Sequence, residues 1–235
     1  MTSNRPRIAV LRFPGSNDDG DACLALGSAG ADAVPVWHGA AELPAEVGAV
    51  VLPGGFSYGD YLRCGAIARL SPVMESVTTF AEAGGPVLGI CNGFQILCEA
   101  GLLPGVLRTN RSLSFVCRDV GLEVVRAVAP FTSRCEPGQR LTIPVKHGEG
   151  AYYAPPELLG ELERDGQIVL RYAPGENPNG SVGDVAGVRS AAGNVMGLMP
   201  HPEHAVDPLT GSVDGASIIG SLVDGATERL AKPRG

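Results

Sequence analysis

The apolar run Val87-Leu88-Gly89-Ile90 ends on Cys91, with Gly89 two residues before the cysteine and Gly93 two residues after it. A helix-like run over 94–100 follows at once. A continuous apolar run suits a strand covered on both faces. A turn this tight between strand and helix leaves no room for Cβ atoms beside it, which accounts for the flanking glycines. Strand, strained turn and helix make a nucleophile elbow, with Cys91 at its tip.

The segments around the elbow alternate in the same way. Strands are predicted over 7–13, 33–37, 49–52 and 87–90, with helices over 20–29 and 71–83, the latter with Pro72 in its favoured first turn. Strands alternating with helices imply βαβ units and a parallel sheet. The second half is less regular: strands are predicted over 120–127, 141–144, 168–172, 185–189 and 195–199, and a closing helix over 216–230. Ala191-Ala192-Gly193-Asn194 reads as the turn of a hairpin joining the last two strands. The expected fold is α/β, with a mostly parallel central sheet flanked by helices. No repeat or linker divides the 235 residues, so one domain over 1–235 is expected.

Several function classes are disfavoured. The net charge is −7 and the basic residues are scattered, unlike a nucleic-acid footprint. The apolar segment 8–11 is broken by Arg12, too short for a signal sequence or a membrane span, and no other run is long enough. The chain therefore reads as soluble and cytoplasmic, where disulfides are not expected. The cysteines at 23, 64, 91, 98, 117 and 135 include no Cys-x-x-Cys pair, so no zinc knuckle is expected. Five of them read as small buried apolar side chains, and only Cys91 has a context that argues chemistry.

A cysteine at the head of a helix gains twice. Its sulfur points out of the sheet, and it faces the positive end of the helix dipole; both favour the thiolate nucleophile. Taken alone, Gly-x-Cys-x-Gly fits a structural cysteine equally well. Pro200-His201-Pro202-Glu203, just past a predicted strand, favours the nucleophile. If this proline-bounded segment is extended, residues i and i+2 face one way. Glu203 can then accept the far N–H of His201, fix its tautomer and stabilise its imidazolium. His204 would point away and reads as a bystander. An oxyanion hole needs two converging backbone N–H groups; Asn92, just after the nucleophile, and Gly55, at the end of a neighbouring strand, are the candidates.

At this point the motifs resemble the class I (triad) glutamine amidotransferases. Within them, five blocks resemble the glutaminase subunits of phosphoribosylformylglycinamidine synthase, the PurQ family. The blocks are Gly54-Gly55-Phe56-Ser57-Tyr58-Gly59-Asp60-Tyr61-Leu62-Arg63-Cys64-Gly65-Ala66, Gly89-Ile90-Cys91-Asn92-Gly93-Phe94-Gln95, His147-Gly148-Glu149-Gly150, Asn177-Pro178-Asn179-Gly180-Ser181 and Met199-Pro200-His201-Pro202-Glu203. The resemblance spans nearly the whole chain. It implies a flavodoxin-like fold, with Cys91 as nucleophile, His201 as base and then acid, Glu203 as its orienter, and Gly55 and Asn92 as oxyanion donors. Gln95 is implied to hold the glutamine substrate, and Asn110, Ser112 and Phe115 to lie near it. For those three, a surface loop is the alternative. His147 lines the site or a subunit contact, or caps a turn. Where the family pattern has Arg after the His-Pro-Glu triplet, this chain has His204, which puts any ion pair made by that Arg in doubt.

The chain has no Gly-x-x-x-x-Gly-Lys-[Ser/Thr] loop. The resemblance nevertheless implies an ATP-driven amidation, and hence a large PurL-like synthetase subunit that receives ammonia and a small PurS-like subunit. ATP and magnesium are then expected on the synthetase, and no metal or organic cofactor on this chain. Two other enzymes remain open, a triad glutaminase serving a different synthetase and a cysteine-dependent peptidase-like relative. A third reading is a non-catalytic binding module on the same scaffold.

Overall fold

The computed structural model describes residues 5–232. Its first half is the expected alternation: β1 (Arg7–Arg12), α1 (Asp19–Ser28), β2 (Asp32–Trp37), β3 (Val47–Leu52), α2 (Val73–Glu82), β4 (Val87–Ile90) and α3 (Asn92–Glu99). The second half adds β5 (Val106–Arg108), β6 (Val116–Val124), β7 (Arg140–His147), β8 (Ala151–Tyr153), α4 (Pro156–Arg164), β9 (Ile168–Tyr172), β10 (Val185–Arg189), β11 (Val195–Leu198) and α5 (Gly215–Ala231).

Nine strands form one sheet in the order β2-β1-β3-β4-β11-β10-β9-β6-β7. From β2 to β11 every neighbour is parallel. From β11 to β7 every neighbour is antiparallel. The parallel character thus belongs to the half that carries the elbow, and the second half of the chain continues the sheet as an antiparallel extension. Burial patterns follow from this division. Every residue of β3 and β4 is buried, as strands covered on both faces require. In β7, buried Leu141, Ile143 and Val145 alternate with more exposed neighbours. β2 lies at one edge, where Pro35 interrupts no ladder that the sheet needs.

Three parts of the fold differ from the expectations. β7 runs through Pro144 to His147 instead of ending at the proline, because β7 is also an edge strand and tolerates a missing N–H. β6 begins at Val116 and stops at Val124, several residues earlier than expected. No element is expected over 151–164, yet β8 pairs with β5 there and α4 follows. Pro156 occupies the first turn of α4, and Leu162 is the helix's one buried residue. The hairpin between β10 and β11 is present. Among the described residues, no helix is long and apolar enough to cross a membrane.

Close packing at the elbow determines how α3 sits on the sheet. A Cβ placed on Gly93 would stand 1.9 Å from the carbonyl oxygen of Leu52, at the end of β3. Only a glycine lets the first turn of α3 lie against β3 at this distance. Gly93→Ala should therefore destabilise the protein by about 1–3 kcal/mol, the usual range for overpacking, or more if the backbone cannot shift. Urea unfolding with an unchanged m-value checks this.

Candidate active site

Cys91 sits between β4 and α3 with φ 50 and ψ −103, a left-handed conformation for a non-glycine residue. Such strain persists only where the surroundings impose it. Its N–H donates to the Leu198 carbonyl of neighbouring β11 at 2.8 Å, and its thiol is 3.7 Å from the Lys146 carbonyl on β7. The residue is buried, 5% exposed.

His201 follows β11 and is fully buried. Its N–H donates to the Pro144 carbonyl at 2.8 Å, which ties the segment to β7. Its Nδ1 lies 2.6 Å from Glu203 Oε1. The expected pairing is present, but a different geometry makes it. Pro202–His204 is a turn of 3₁₀ helix, so the carboxylate reaches the ring by curling back and not by alternation along an extended segment. His201 Nε2 has no hydrogen-bond partner among the described residues. Burial alone would lower the basicity of this imidazole; Glu203 and then the Cys91 sulfur outweigh it and raise its pKa well above the ordinary range. A buried imidazole between a carboxylate and a thiol is equipped to take the thiol proton and return it to a leaving group.

His204 does not point away. Its ring lies 5.4 Å from that of His201, and its Nε2 is 3.3 Å from Asp18 Oδ1 and 3.7 Å from Glu203 Oε1. The curl of the 3₁₀ turn brings it back, so the position where the family pattern has Arg still supplies a polar contact to the site.

Sequence reasoning overlooked Asp18. This carboxylate, only 3% exposed, accepts a hydrogen bond from the Lys146 ammonium. Its Oδ2 is also 3.7 Å from His201 Nδ1. Burial would raise its pKa, but His204, His201 and Lys146 together hold it well below the usual carboxylate range. One signal was available: Asp18 follows β1, at the carboxyl end of a parallel strand, where functional groups of α/β sheets gather. No sequence signal marks Lys146. Asp18, His201, Glu203 and His204 bring ligand atoms within 4.8 Å of one another. The Lys146 ammonium and the imidazoles already answer the negative charge in that cluster.

Gly54 and Gly55 form a wedge between this cluster and the loop after β1. A Cβ on Gly54 would fall 2.6 Å from His201 Cε1, and one on Gly55 would fall 2.7 Å from the Asn17 nitrogen. Just beyond, the Ser57 N–H donates to Asn92 Oδ1 at 3.2 Å, linking this strip to the residue after the nucleophile. Asn92 Nδ2 donates to Gln95 Oε1 at 2.9 Å, and Gln95 Nε2 donates to the Glu149 carbonyl at 2.6 Å. The Gln95 amide is thus engaged at both ends.

The remaining candidates separate into an interior and a surface group. Asn110 is fully buried; its amide donates to the carbonyls of Ser114 and His147, and its oxygen accepts from the Gly150 N–H. It also meets His147 Nδ1 at 3.1 Å. Asn179 approaches the other side of that imidazole, 3.4 Å from Nε2, and donates to the Tyr172 hydroxyl and the Gly150 carbonyl. The His147-Gly-Glu-Gly and Asn-Pro-Asn-Gly-Ser blocks therefore meet in one buried polar scaffold. Ser112 and Phe115 lie at the surface, and the Phe115 ring sits 6.3 Å from that of Phe56.

Comparisons with known proteins give the family of this chain. The family model for the CobB/CobQ-like glutamine amidotransferase domain matches residues 5–218. The subunit PurQ of phosphoribosylformylglycinamidine synthase from Rubrobacter xylanophilus is 58% identical over 220 residues, covering 94% of this chain and 99% of that protein. The PurQ subunit from Nocardia farcinica is 58% identical over 219 residues, covering 93% and 96%. The chain belongs to the PurQ family of glutamine amidotransferases. Its fold agrees as well: a chain of the Thermotoga maritima PurLQS structure superposes with a TM-score of 0.84 at 42% identity, covering 94% of this chain and 98% of that one.

The buried scaffold has a pH signature. Burial, reinforced by the nearby His201, lowers the pKa of His147 from 6.5 to about 4. Between these values the unfolded chain binds a proton here that the native chain refuses, so stability falls as pH drops from 6.5 towards 4. The full window is worth up to about 3 kcal/mol. His147→Gln should lose less stability than the parent between pH 7 and pH 4.5, whatever its stability at pH 7. Urea titrations at the two pH values give the comparison.

Proposed function

We propose that this chain is the glutaminase subunit of a phosphoribosylformylglycinamidine synthase, hydrolysing L-glutamine at Cys91 and delivering ammonia to a synthetase subunit for purine biosynthesis. One observation carries the reading. Cys91 at a strained elbow after β4 and the Glu203-braced His201 after β11, 110 residues apart in sequence, stand beyond the carboxyl ends of adjacent parallel strands.

His201 Nε2 accepts the Cys91 proton, and the sulfur attacks the amide carbon of glutamine. The backbone N–H groups of Gly55 and Asn92 receive the oxyanion; Asn92 begins α3, where N–H groups have no intrahelical acceptor. His201 then protonates the departing ammonia, leaving a γ-glutamyl thioester on Cys91. Water, deprotonated by the same imidazole, releases glutamate and restores the thiol. Glu203 holds the ring in one tautomer throughout. Gln95 acts by fixing Asn92 and the Glu149 strip that border the substrate, with Asn110 buttressing the wall behind and Ser112 and Phe115 at the outer lip.

The chain's likeness to part of a PurLQS structure supports a PurL-type synthetase and a PurS-type small subunit as partners. ATP and magnesium belong to the synthetase in this reading, and the chain itself holds no cofactor. The reading also takes residues 1–235 as one amidotransferase domain, in keeping with a continuous hydrophobic core. A cytoplasmic setting goes with it, in keeping with six free cysteines.

Reconstitution with PurL-type and PurS-type subunits tests the proposal. Cys91→Ala should abolish glutamine-dependent synthesis, a loss of at least about 10³-fold, while synthesis from an ammonium salt survives. Loss of both activities would make Cys91 structural. Alone, the chain should hydrolyse glutamine weakly, since its thiol is nearly closed off; full turnover without partners would contradict the proposal.

A further inference from the structure

We propose that Asp18 is a positioning residue for this site, a second buried carboxylate that braces His201 beside Glu203 and so favours the imidazolium–thiolate form of the His201–Cys91 pair. The inference rests on the glutaminase reading above.

The geometry is specific. Asp18 Oδ2 lies 3.7 Å from the same Nδ1 that Glu203 Oε1 meets at 2.6 Å, so the inner nitrogen of His201 faces two carboxylates. The charged and titratable groups around the ring are Glu203 and His204 on its own turn, Asp18 after β1, Lys146 and His147 on β7, and Cys91 at the head of α3. Lys146 is held by Asp18, and His147 by Asn110 and Asn179. Lys146 pairs with Asp18 while the His201 imidazole faces both carboxylates, so a protonated His201 completes the charge balance. The proton for it comes from the Cys91 thiol, which is left as thiolate; no charge is created or lost. Asp18 is near the imidazole, and its Lys146 partner reaches the thiol through its own main-chain carbonyl. That carbonyl accepts from the Cys91 S–H and so braces the protonated thiol, the form that the Asp18 charge works against.

Alkylation by iodoacetamide, with the labelled peptide identified by mass, reads the Cys91 thiolate without requiring glutamine recognition. Asp18→Asn keeps the shape and removes the charge. At neutral pH it should label Cys91 about tenfold more slowly than the parent. The gap should close at alkaline pH. Lys146→Gln leaves the Asp18 charge to the imidazoles alone and should label at neutral pH at least as fast as the parent. It serves as the test by itself if Asp18→Asn does not fold. A purely structural loosening would slow both variants together, and that result overturns the proposal. So does an Asp18→Asn profile that coincides with the parent's, or a slowed Lys146→Gln. If the glutaminase reading alone fails, the reconstituted complex makes no product from glutamine while these labelling differences persist.

Discussion

Two carboxylates, Glu203 and Asp18, are buried side by side at the carboxyl end of the parallel sheet, and each requires positive charge close by. An ionised carboxylate taken out of water costs several kcal/mol unless it is paired and hydrogen-bonded. Here the partners arrive from distant parts of the chain: Lys146 lies 128 residues from Asp18, and His204 lies 186 residues from it. None of these pairs can form until β1, β7 and β11 occupy their places in the sheet. The charge balance of the site is therefore a product of the completed fold, and it in turn holds the 3₁₀ turn carrying His201 and Glu203.

The nucleophile is held by a different means. Cys91 is kept in a left-handed backbone conformation by the short path from β4 into α3, by the Leu198 carbonyl that accepts its N–H, and by the absence of a side chain at Gly93. Packing supplies the rigidity that the strained residue lacks. Gly54 does the same service for the base, leaving room for the edge of the His201 ring. One reactive group is thus placed by backbone strain and the other by buried charge.

How much of this can be read from sequence depends on the range of the interaction. The elbow was legible because its causes are local: an apolar run, two glycines and a helical run, all within residues 87–100. The His201–Glu203 pair was legible too, although its expected extended geometry gave way to a turn. Asp18 and Lys146 were not, because a lone aspartate after a strand and a lone lysine in a strand become meaningful only once the sheet order joins them. Pro144 misled for a similar reason. A proline ends a central strand, and only the sheet order shows that β7 lies at an edge. α4 differs: Pro156 in its first turn and Leu158, Leu159 and Leu162 at helical spacing are a local signal that the sequence does carry.

Strand β7 has a last consequence. The His201 N–H hangs from its Pro144 carbonyl, the Cys91 thiol faces its Lys146 carbonyl, and the Lys146 side chain grips Asp18. β7 is the outermost strand of the sheet, paired on one side only. Nucleophile, base and counter-charge are thus moored to a single margin of the sheet. A shift of that margin by even a fraction of an ångström would be felt by all three in concert, as a keyboard's rail moves every key.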